Sequence, residues 1–351
     1  PLLGLGLAAA ALEPALPAAA LGLGFVNGWL AAYLAACARL VGGLPHAQVT
    51  SWSGLGLLFG VPALAVLALR AGDRHRRLLA ALTACLGLFA AGWRLLPHHP
   101  PPPTGLRITF LDVGQGDAVL LQTRRAAILV DQGPPEGRVA EQLERLGVRR
   151  LAMLVLTHPQ RDHVGGAEEV LERIAVDVVL DPRLPVPSPY EASALAAARR
   201  RDVPVVVARA GRAYAVGRLR LRVLWPDGPG PRVDDPNRHA TVLHVSYGSV
   251  DALLTADAES DVTVPLRPPP VEILKIAHHG SADALLPELL RLVRPRVAVI
   301  SVGKRNDYGH PTPSTLATLE SAPGLAVYRT DVDGRITIDS DGDRFQVRDE
   351  R

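Results

Sequence analysis

Three potential metal ligands are crowded into one short turn that directly follows an apolar segment. The apolar segment, Leu151–Leu156, is typical of a buried strand, and the turn after it contains His158, Gln160, Asp162 and His163. Polar side chains at the end of a strand lie at the edge of a sheet, where neighbouring strands can add ligands to the same site. This order of residues suggests a metallo-hydrolase and requires a fold in which other strands end at the same edge.

Two later strand ends carry matching residues. Asp257 follows the apolar segment Ala252–Thr255, and the pair His278 and His279 follows Glu272–Ala277. Imidazole and carboxylate groups suit zinc or manganese, and an aspartate can bridge two ions. The sequence therefore predicts a hydrolytic site that holds one or two divalent cations, either Zn²⁺ or Mn²⁺.

Each of these segments also has a purely structural interpretation. An Asp-His pair after a strand is often a helix N-cap beside a surface histidine, and Asp257 could cap the helix that follows it. His278, His279 and Gly280 could form a polar turn. The coincidence of all three at the ends of apolar strands favours the metal interpretation.

The composition divides the chain into two parts. Residues 1–104 contain six arginines and two acidic residues, which leaves 32 of the 38 basic and 33 of the 35 acidic residues to the remainder. The later part is close to neutral, so it lacks an overall basic signature for nucleic-acid binding. The early part consists of apolar segments at Leu2–Leu23, Gly28–Val41, Trp52–Leu69 and Leu78–Leu96.

These apolar segments predict transmembrane helices over residues 1–96. The segment 28–41 is short for a span and could lie at the interface; buried helices of a soluble protein are the alternative for the whole region. A Pro-rich linker follows at 97–104, and a soluble domain at 105–351. The chain begins at Pro1 inside apolar sequence, so we expect it to be a piece of a longer protein.

The arginines predict the orientation of these segments. The loop 70–77 contains four arginines between the two most apolar segments, and the positive-inside rule places such a loop in the cytoplasm. The soluble domain would then lie on the outer face of a multi-pass protein of the cell membrane.

The soluble part alternates strand-like with helix-like segments. Its two β-rich halves predict an α/β fold in which two sheets pack face to face with helices outside. The expected strands are 106–113, 119–122, 127–131, 151–156, 176–180, 203–207, 219–224, 241–247, 252–255, 272–277, 297–302, 335–338 and 345–347, with one more near 327. The expected helices are 138–146, 167–174, 190–201, 285–293 and 314–321.

Several motifs resemble those of known families. The turn His158–His163 resembles the His-x-His-x-Asp-His signature of the metallo-β-lactamase superfamily. The sequence FLDVGQGD at Phe110–Asp117 resembles the opening of the hydrolase domain in ComEC-family DNA-internalisation proteins. Segments 128–133, 301–311 and 328–334 match the same family. The resemblance implies a metallo-β-lactamase-like αββα sandwich, preceded by the end of a polytopic membrane channel domain.

The resemblance also implies roles for the candidate ligands. His158 would bind a first ion and Asp162 and His163 a second, with Asp257 bridging the two. His278 or His279 would supply a late imidazole, and the sequence leaves open which one. One departure from the signature is Gln160, which stands where the superfamily has a histidine. An amide oxygen is a weak zinc ligand, so the first ion is the one in doubt.

Four further residues receive expected roles by position. Asp117 and Asp131 are expected to brace the ligands rather than bind metal directly. His239, close to Asn237, lies near a position where the superfamily has a ligand and is an additional candidate. His310, in a Gly-His-Pro turn, could contact a scissile phosphate or brace its turn.

The implied activity is hydrolysis of DNA phosphodiesters during DNA uptake in natural transformation, with Asp162 or Asp257 orienting the attacking water. The expected partners are DNA, membrane lipid, other proteins of the uptake machinery and a second copy of the chain. One alternative is a channel subunit whose degenerate hydrolase domain only binds or gates. Another is a membrane-anchored, lactamase-like hydrolase of small molecules.

Overall fold

The computed structural model of the chain describes residues 8–42, 66, 82–85, 87, 101–232 and 235–350. Backbone contacts group the chain into two compact units, Pro1–Pro97 and His98–Arg351.

The first unit contains one long helix, α1 (Pro17–Gly42). It begins at a proline, which suits the first turn because its missing N–H would have no partner there. A short helical stretch, 8–12, precedes it, and the helix is interrupted at 13–16, where Glu13 and Pro14 lie. Helix α1 therefore joins the end of the predicted segment 2–23 to the segment 28–41.

The segments 52–69 and 78–96, both predicted to span a membrane, fall almost entirely outside the described residues. Within the part of the chain that the structure describes, no helix has both the length and the apolar character that crossing a membrane requires.

The first layer of strands in the second unit is an eight-stranded mixed sheet. Its inner strands β3 and β5 are buried along their whole length, which explains their uniformly apolar sequences. The strands from β3 to β8 run parallel, and the others are antiparallel. In spatial order they are β17 (Phe345–Arg348), β16 (Ile336–Ser340), β1 (Leu106–Phe110), β2 (Val119–Gln122), β3 (Ala127–Val130), β5 (Met153–Val155), β7 (Val179–Asp181) and β8 (Val205–Val207).

The second layer is a seven-stranded sheet. Strands β12 to β15 are parallel and β9 to β12 antiparallel. Strand β10 alternates buried and exposed residues over much of its length because only one face of this part of the sheet is covered. In spatial order the strands are β15 (Ala326–Arg329), β14 (Val297–Ile300), β13 (Ile273–Lys275), β12 (Val250–Leu254), β11 (Val242–Tyr247), β10 (Leu219–Trp225) and β9 (Ala213–Val216).

The two sheets pack face to face, and helices cover their outer faces. Side chains such as Phe110, Leu121, Leu221 and Leu254 fill the space between the sheets. Helices α2 (Val139–Arg145), α4 (Ala167–Arg173) and α5 (Pro189–Arg200) pack on the first sheet, and α7 (Leu286–Val293) and α8 (Pro313–Glu320) on the second. The predicted αββα sandwich is confirmed.

The remaining short elements connect these layers. They are α3 (Arg161–Val164), α6 (Ser260–Thr263), α9 (Thr330–Asp333), the 3-10 helices Pro135–Gly137, Pro236–His239 and Ala277–Gly280, and a two-stranded sheet of β4 (Arg150–Leu151) and β6 (Ala175–Val176).

Three strand predictions differ from the structure. The segments 151–156 and 176–180 are not single strands: Leu151 pairs with Val176 in the two-stranded sheet, whereas Met153–Val155 and Val179–Asp181 form β5 and β7 in the large one. Strand β9 was not predicted, because its residues Ala213–Val216 are partly exposed at a sheet edge and lack a buried apolar face.

The parallel strands of the two sheets end in segments that carry polar residues. Strands β3 and β5 of the first sheet lead into Asp131 and Thr157-His158. Strands β12 and β13 of the second sheet lead into Asp257 and the pair His278 and His279. Ligand sites in α/β sheets form at such carboxyl ends.

Candidate metal centre

A cluster of four side chains lies where these strand ends meet. Asp162, His163, Asp257 and His279 each place one ligand atom within 4.8 Å of the others. His163 Nε2 lies 3.2 Å from Asp257 Oδ1, and His279 Nε2 lies 3.3 Å from Asp162 Oδ2 and 3.7 Å from Asp257 Oδ2. Two imidazoles and two carboxylates form a donor set that suits zinc or manganese.

Three of the four residues in this cluster have ligand atoms without hydrogen bonds. His163 Nε2, His279 Nε2 and both carboxylate oxygens of Asp257 are buried without a hydrogen-bond partner. Buried polar atoms are normally paired, so a group of unpaired atoms that point at one another indicates a bound species. A divalent cation fits these four residues.

The electrostatics of the cluster favour positive charge. Burial lowers the pKa of His279, but Asp257, Asp117 and Asp162 outweigh it and raise the pKa to about 9. Burial likewise lowers the pKa of His163, yet Asp257 and Asp131 raise it well above its ordinary value. The carboxylates thus attract protons onto both imidazoles, and a cation that binds here would replace those protons.

Both imidazoles are held through their other ring nitrogen. His163 Nδ1 lies 2.8 Å from Asp131 Oδ2, and His279 Nδ1 lies 2.9 Å from the carbonyl oxygen of Ser301. Asp131 is itself fixed by Thr157, whose backbone N–H and hydroxyl donate to its two oxygens at 3.0 and 2.7 Å. With Nδ1 as the donor in each ring, Nε2 keeps its lone pair for a metal.

A buried lysine completes the charge balance. Lys275, at the end of β13, is 1 % exposed; its ammonium contacts the Asp117 carboxylate and donates to the carbonyl oxygen of Ala256 at 2.7 Å. Burial raises the pKa of Asp117, but Lys275 and His279 outweigh it, so the pKa lies below its ordinary value. Lys275 is not predicted from the sequence, where its only signal is a lysine inside an apolar strand segment.

Close backbone approach brings Asp117 to the cluster. The Asp117 N–H donates to the carbonyl oxygen of Asp162 at 3.1 Å. A Cβ atom on the preceding Gly116 would lie 2.3 Å from that same oxygen, and φ at Gly116 is +142°. Only glycine allows this approach.

The consecutive histidines point to different places. His278 and His279 both adopt left-handed backbone conformations, with φ of 48° and 53°. His279 enters the metal cluster, whereas His278 stays partly exposed and its Nδ1 lies 2.9 Å from Glu259 Oε1. Between the two residues left open by the sequence, the geometry thus places His279 in the cluster.

On the far side of Asp257 the donor set is weaker. His158 Nε2 lies 3.8 Å from Asp257 Oδ2 and 3.4 Å from Gln160 Oε1. His278 Nε2 lies 4.0 Å from Asp257 Oδ2, and 3.3 Å from the amide nitrogen of Asn237, which is a donor. These residues offer two imidazoles and neutral amides, so they fit a second cation poorly.

The other predicted site residues are placed differently. His239 stacks on Trp225, with ring centroids 6.0 Å apart, and the structure does not bring it to the cluster. Asp131 contacts Nδ1 of His163, and Asp117 Oδ1 lies 3.5 Å from Nδ1 of His279; the two acids and His163 also place one ligand atom each within 4.8 Å of one another. His310 lies 5.5 Å from His278, ring centroid to ring centroid. It belongs to a cleft of about 320 Å³ lined by Gln115, Gln160, Arg161, Asp162, Asn237, His278, His279, Tyr308 and His310.

Sequence comparison identifies relatives among competence proteins. The chain is 28% identical over 286 residues to ComE operon protein 3 of Bacillus subtilis, covering 75% of this chain and 36% of that protein. It is 30% identical over 255 residues to Recombination protein 2 of Haemophilus influenzae, covering 70% and 30%. The chain thus spans about a third of the length of these relatives, and they confirm the resemblance to the ComEC family.

A similar solved structure is the metallo-beta-lactamase fold protein YhfI from Bacillus subtilis, with 11% identity, a TM-score of 0.44, and coverage of 64% of this chain and 96% of that one. The family model of the metallo-beta-lactamase superfamily matches residues 111–304, from the end of β1 to the segment after β14. This range holds all four residues of the cluster and more than half of the chain, which therefore belongs to the metallo-beta-lactamase superfamily.

Proposed function

We propose that the chain carries a metal-dependent phosphodiesterase that acts on DNA during its uptake into the cell. The observation that supports this proposal best is the group of unpartnered ligand atoms on His163, Asp257 and His279, beside the Asp162 carboxylate. A divalent cation held by these four residues would supply the Lewis acidity that activates water and stabilises charge on a phosphoryl group.

The protein's own groups would orient the reactants. Asp162 combines cluster membership with a position on the cleft wall, so its carboxylate can accept a hydrogen bond from an attacking water. Burial raises the pKa of Asp162, but the nearby imidazoles of His279 and His163 outweigh it, so the carboxylate is ionised at neutral pH. His310 lines the same cleft, so its ring can contact a phosphate bound there.

The assignment to DNA uptake rests on the relatives. One of them, 28% identical over 259 residues, is named Competence protein ComA, from Neisseria gonorrhoeae. By analogy we place the chain in the cell membrane as part of a multi-pass protein, with residues 105–351 on the outer face. There the hydrolase domain would meet incoming DNA and degrade one strand, together with other proteins of the uptake machinery.

A second candidate function is a domain that binds or gates DNA without cleaving it. Gln160 favours it, because the amides of Gln160 and Asn237 stand beside His158 and His278, so that side of Asp257 fits a second ion poorly. The two candidates differ in one measurable property, which is hydrolysis.

Cleavage by the purified chain tests the proposal. We expect single- or double-stranded DNA to be hydrolysed with added Mn²⁺ or Zn²⁺, and Asp162→Asn to lower the rate by at least about 100-fold, since loss of supporting residues alone costs 10- to 100-fold. Asp343→Asn, an exposed carboxylate on the hairpin between β16 and β17, is the matched control and should behave as wild type. Absence of cleavage with every metal, or undiminished cleavage by Asp162→Asn, would favour the binding function instead.

A further inference from the structure

The segment Gly303–His310, here called the rim loop, presents an unusual set of side chains beside the cleft. Lys304, Arg305 and Tyr308 are all exposed. Tyr308 is 70% exposed, the highest value for any large hydrophobic residue among described residues 101–350. Most of this side chain is therefore open to solvent beside a polar cleft.

The rim loop is held in a fixed shape despite its exposure. The Asn306 side chain donates to the carbonyl oxygens of Gly303 and His310, at 3.0 and 2.7 Å, and accepts from the His310 N–H at 3.1 Å. These three bonds tie the two ends of the loop together around one amide. The side chains between them are therefore presented from a defined backbone.

Both ends of the rim loop are also attached to segments that build the metal cluster. The Gly303 N–H donates to Gln115 Oε1 at 3.1 Å, and a Cβ atom at Gly303 would lie 2.7 Å from the Gln115 backbone nitrogen. After the loop, the Thr312 N–H donates to the carbonyl oxygen of Gly280, which follows His279. The loop thus keeps a set position relative to the cluster.

Aromatic rings lead from the loop to the cluster. The Tyr308 and His310 ring centroids are 6.0 Å apart with planes tilted by 31°, and His310 is 5.5 Å from His278. Tyr308 and Asp162 line the same cleft. A group bound against the Tyr308 ring would therefore sit next to a phosphate held at the cluster.

We propose that Tyr308 is a specificity residue that stacks against one unpaired nucleic-acid base, while Lys304 and Arg305 contact the phosphates of the same strand. This inference rests on the proposed function. Every base has a flat face that an aromatic ring can cover, and cations beside the ring attract the backbone, which is the usual way of binding single strands. A base in a duplex is already stacked on both faces, so the site would favour single strands or frayed ends.

The charges of the rim loop favour a nucleic-acid strand rather than a neutral molecule as the ligand. Neither Lys304 nor Arg305 makes an ion pair with any described residue, whereas Arg161 across the cleft pairs with Glu136. Asp307 is the only acid in the rim loop. Two unpaired cations beside an exposed ring match the alternation of phosphates and bases along a strand.

Binding to oligonucleotides with and without bases tests the proposal. Fluorescent oligothymidylate and the same backbone with abasic residues are titrated against the full chain, with Mn²⁺ present and the scissile positions blocked by phosphorothioates. We expect wild type to bind the strand with bases about tenfold more tightly, the size of one stacking contact. Tyr308→Ala should abolish this preference, and Tyr308→Phe should keep it.

Control variants separate stacking from charge. Leu285→Ala removes the other exposed large apolar side chain among described residues 101–350, 40% exposed, and should keep the preference. The double variant Lys304→Ala/Arg305→Ala should weaken the binding of both oligonucleotides equally and reduce the salt dependence of that binding.

Two outcomes would overturn the inference. If Tyr308→Ala still binds the oligonucleotide with bases more tightly, Tyr308 does not stack on a base. The proposed function would be unaffected by that result as long as wild type cleaves unmodified DNA. If wild type binds neither strand, both proposals fail. If it binds with the expected preference but never cleaves, only the hydrolytic function fails.

Discussion

At the scale of single residues, the site depends on which atom of each side chain is left unpaired. Asp131 occupies Nδ1 of His163 and Ser301 occupies Nδ1 of His279, which leaves Nε2 of both rings facing Asp257. Such outer partners fix the tautomer and orientation of a histidine ligand. The two sides of Asp257 differ in the donors they offer. On the side of His158, the amide of Gln160 stands where a further imidazole would complete the donor set.

This asymmetry predicts the number of bound ions. Wild type should retain about one equivalent of zinc after dialysis, and Gln160→His about two, because the new imidazole would join His158 and Asp257 in a second donor set. Elemental analysis by mass spectrometry measures both values. Gln346→His, at an exposed position of β17, adds a histidine away from the cluster and should stay at one equivalent. Two equivalents in wild type would contradict the prediction.

The sequence predicts most residues of the cluster but cannot choose among some of them. Asp162, His163 and Asp257 are identifiable because polar groups interrupt apolar segments at strand ends. The choice between His278 and His279 depends on two successive left-handed residues, which no local pattern predicts. Lys275 escapes prediction because lysine is rarely buried, and here its burial depends on Asp117, which is distant in sequence.

At the scale of elements, the carboxyl ends of parallel strands position the chemistry, and the helices after them supply further charges. Asp181 ends β7, and Glu191 lies in the first turn of α5. Arg183 Nε lies 3.1 Å from Asp181 Oδ2. Burial and the Asp181 carboxylate raise the pKa of Glu191 to about 8. At this contact between strand and helix, the charge of an ionised Asp181 therefore opposes ionisation of Glu191.

This pair predicts a pH-dependent stability. The pKa of Glu191 rises from 4.5 to about 8 on folding, so the folded state favours the protonated acid. Its stabilising contribution is complete below pH 4.5 and is lost as pH rises through 8. The glutamine side chain in Glu191→Gln stays neutral at every pH. The free energy of unfolding in urea should therefore equal that of wild type at low pH and exceed it at pH 9.

Glu320→Gln, an exposed glutamate at the end of α8, is the control and should follow wild type at every pH. If Glu191→Gln and wild type lose stability in parallel between pH 5 and pH 9, the carboxyl pair is not the cause.

Element type is easier to predict than strand pairing. Uniformly apolar segments identify β3, β5 and β14 because strands buried on both faces need no polar residues. The break between β4 and β5 is not visible in the sequence, since it depends on a partner strand, β6, in a different sheet. Short connecting helices such as α3 are equally hard to predict, because they are fixed by what they contact.

At the scale of the whole domain, the metal cluster joins the two layers of strands. Asp162 and His163 follow β5 of the first sheet, and Asp257 and His279 follow strands of the second. The unfolded chain cannot hold these four groups together, so any ion bound by them stabilises the folded sandwich as a unit.

Thermal unfolding with and without metal tests this linkage. A free zinc concentration 100 times the dissociation constant adds about 2.7 kcal/mol to the unfolding free energy. For a domain of this size that raises Tm by roughly 5–10 °C. His279→Ala should lose the increase because a ligand from the second sheet is gone. His239→Ala should keep it, because that ring stacks on Trp225 and is not brought to the cluster. Equal increases in His279→Ala and wild type would mean that the ion binds elsewhere, and loss of the increase in His239→Ala would restore the ligand role that the sequence suggested for that residue.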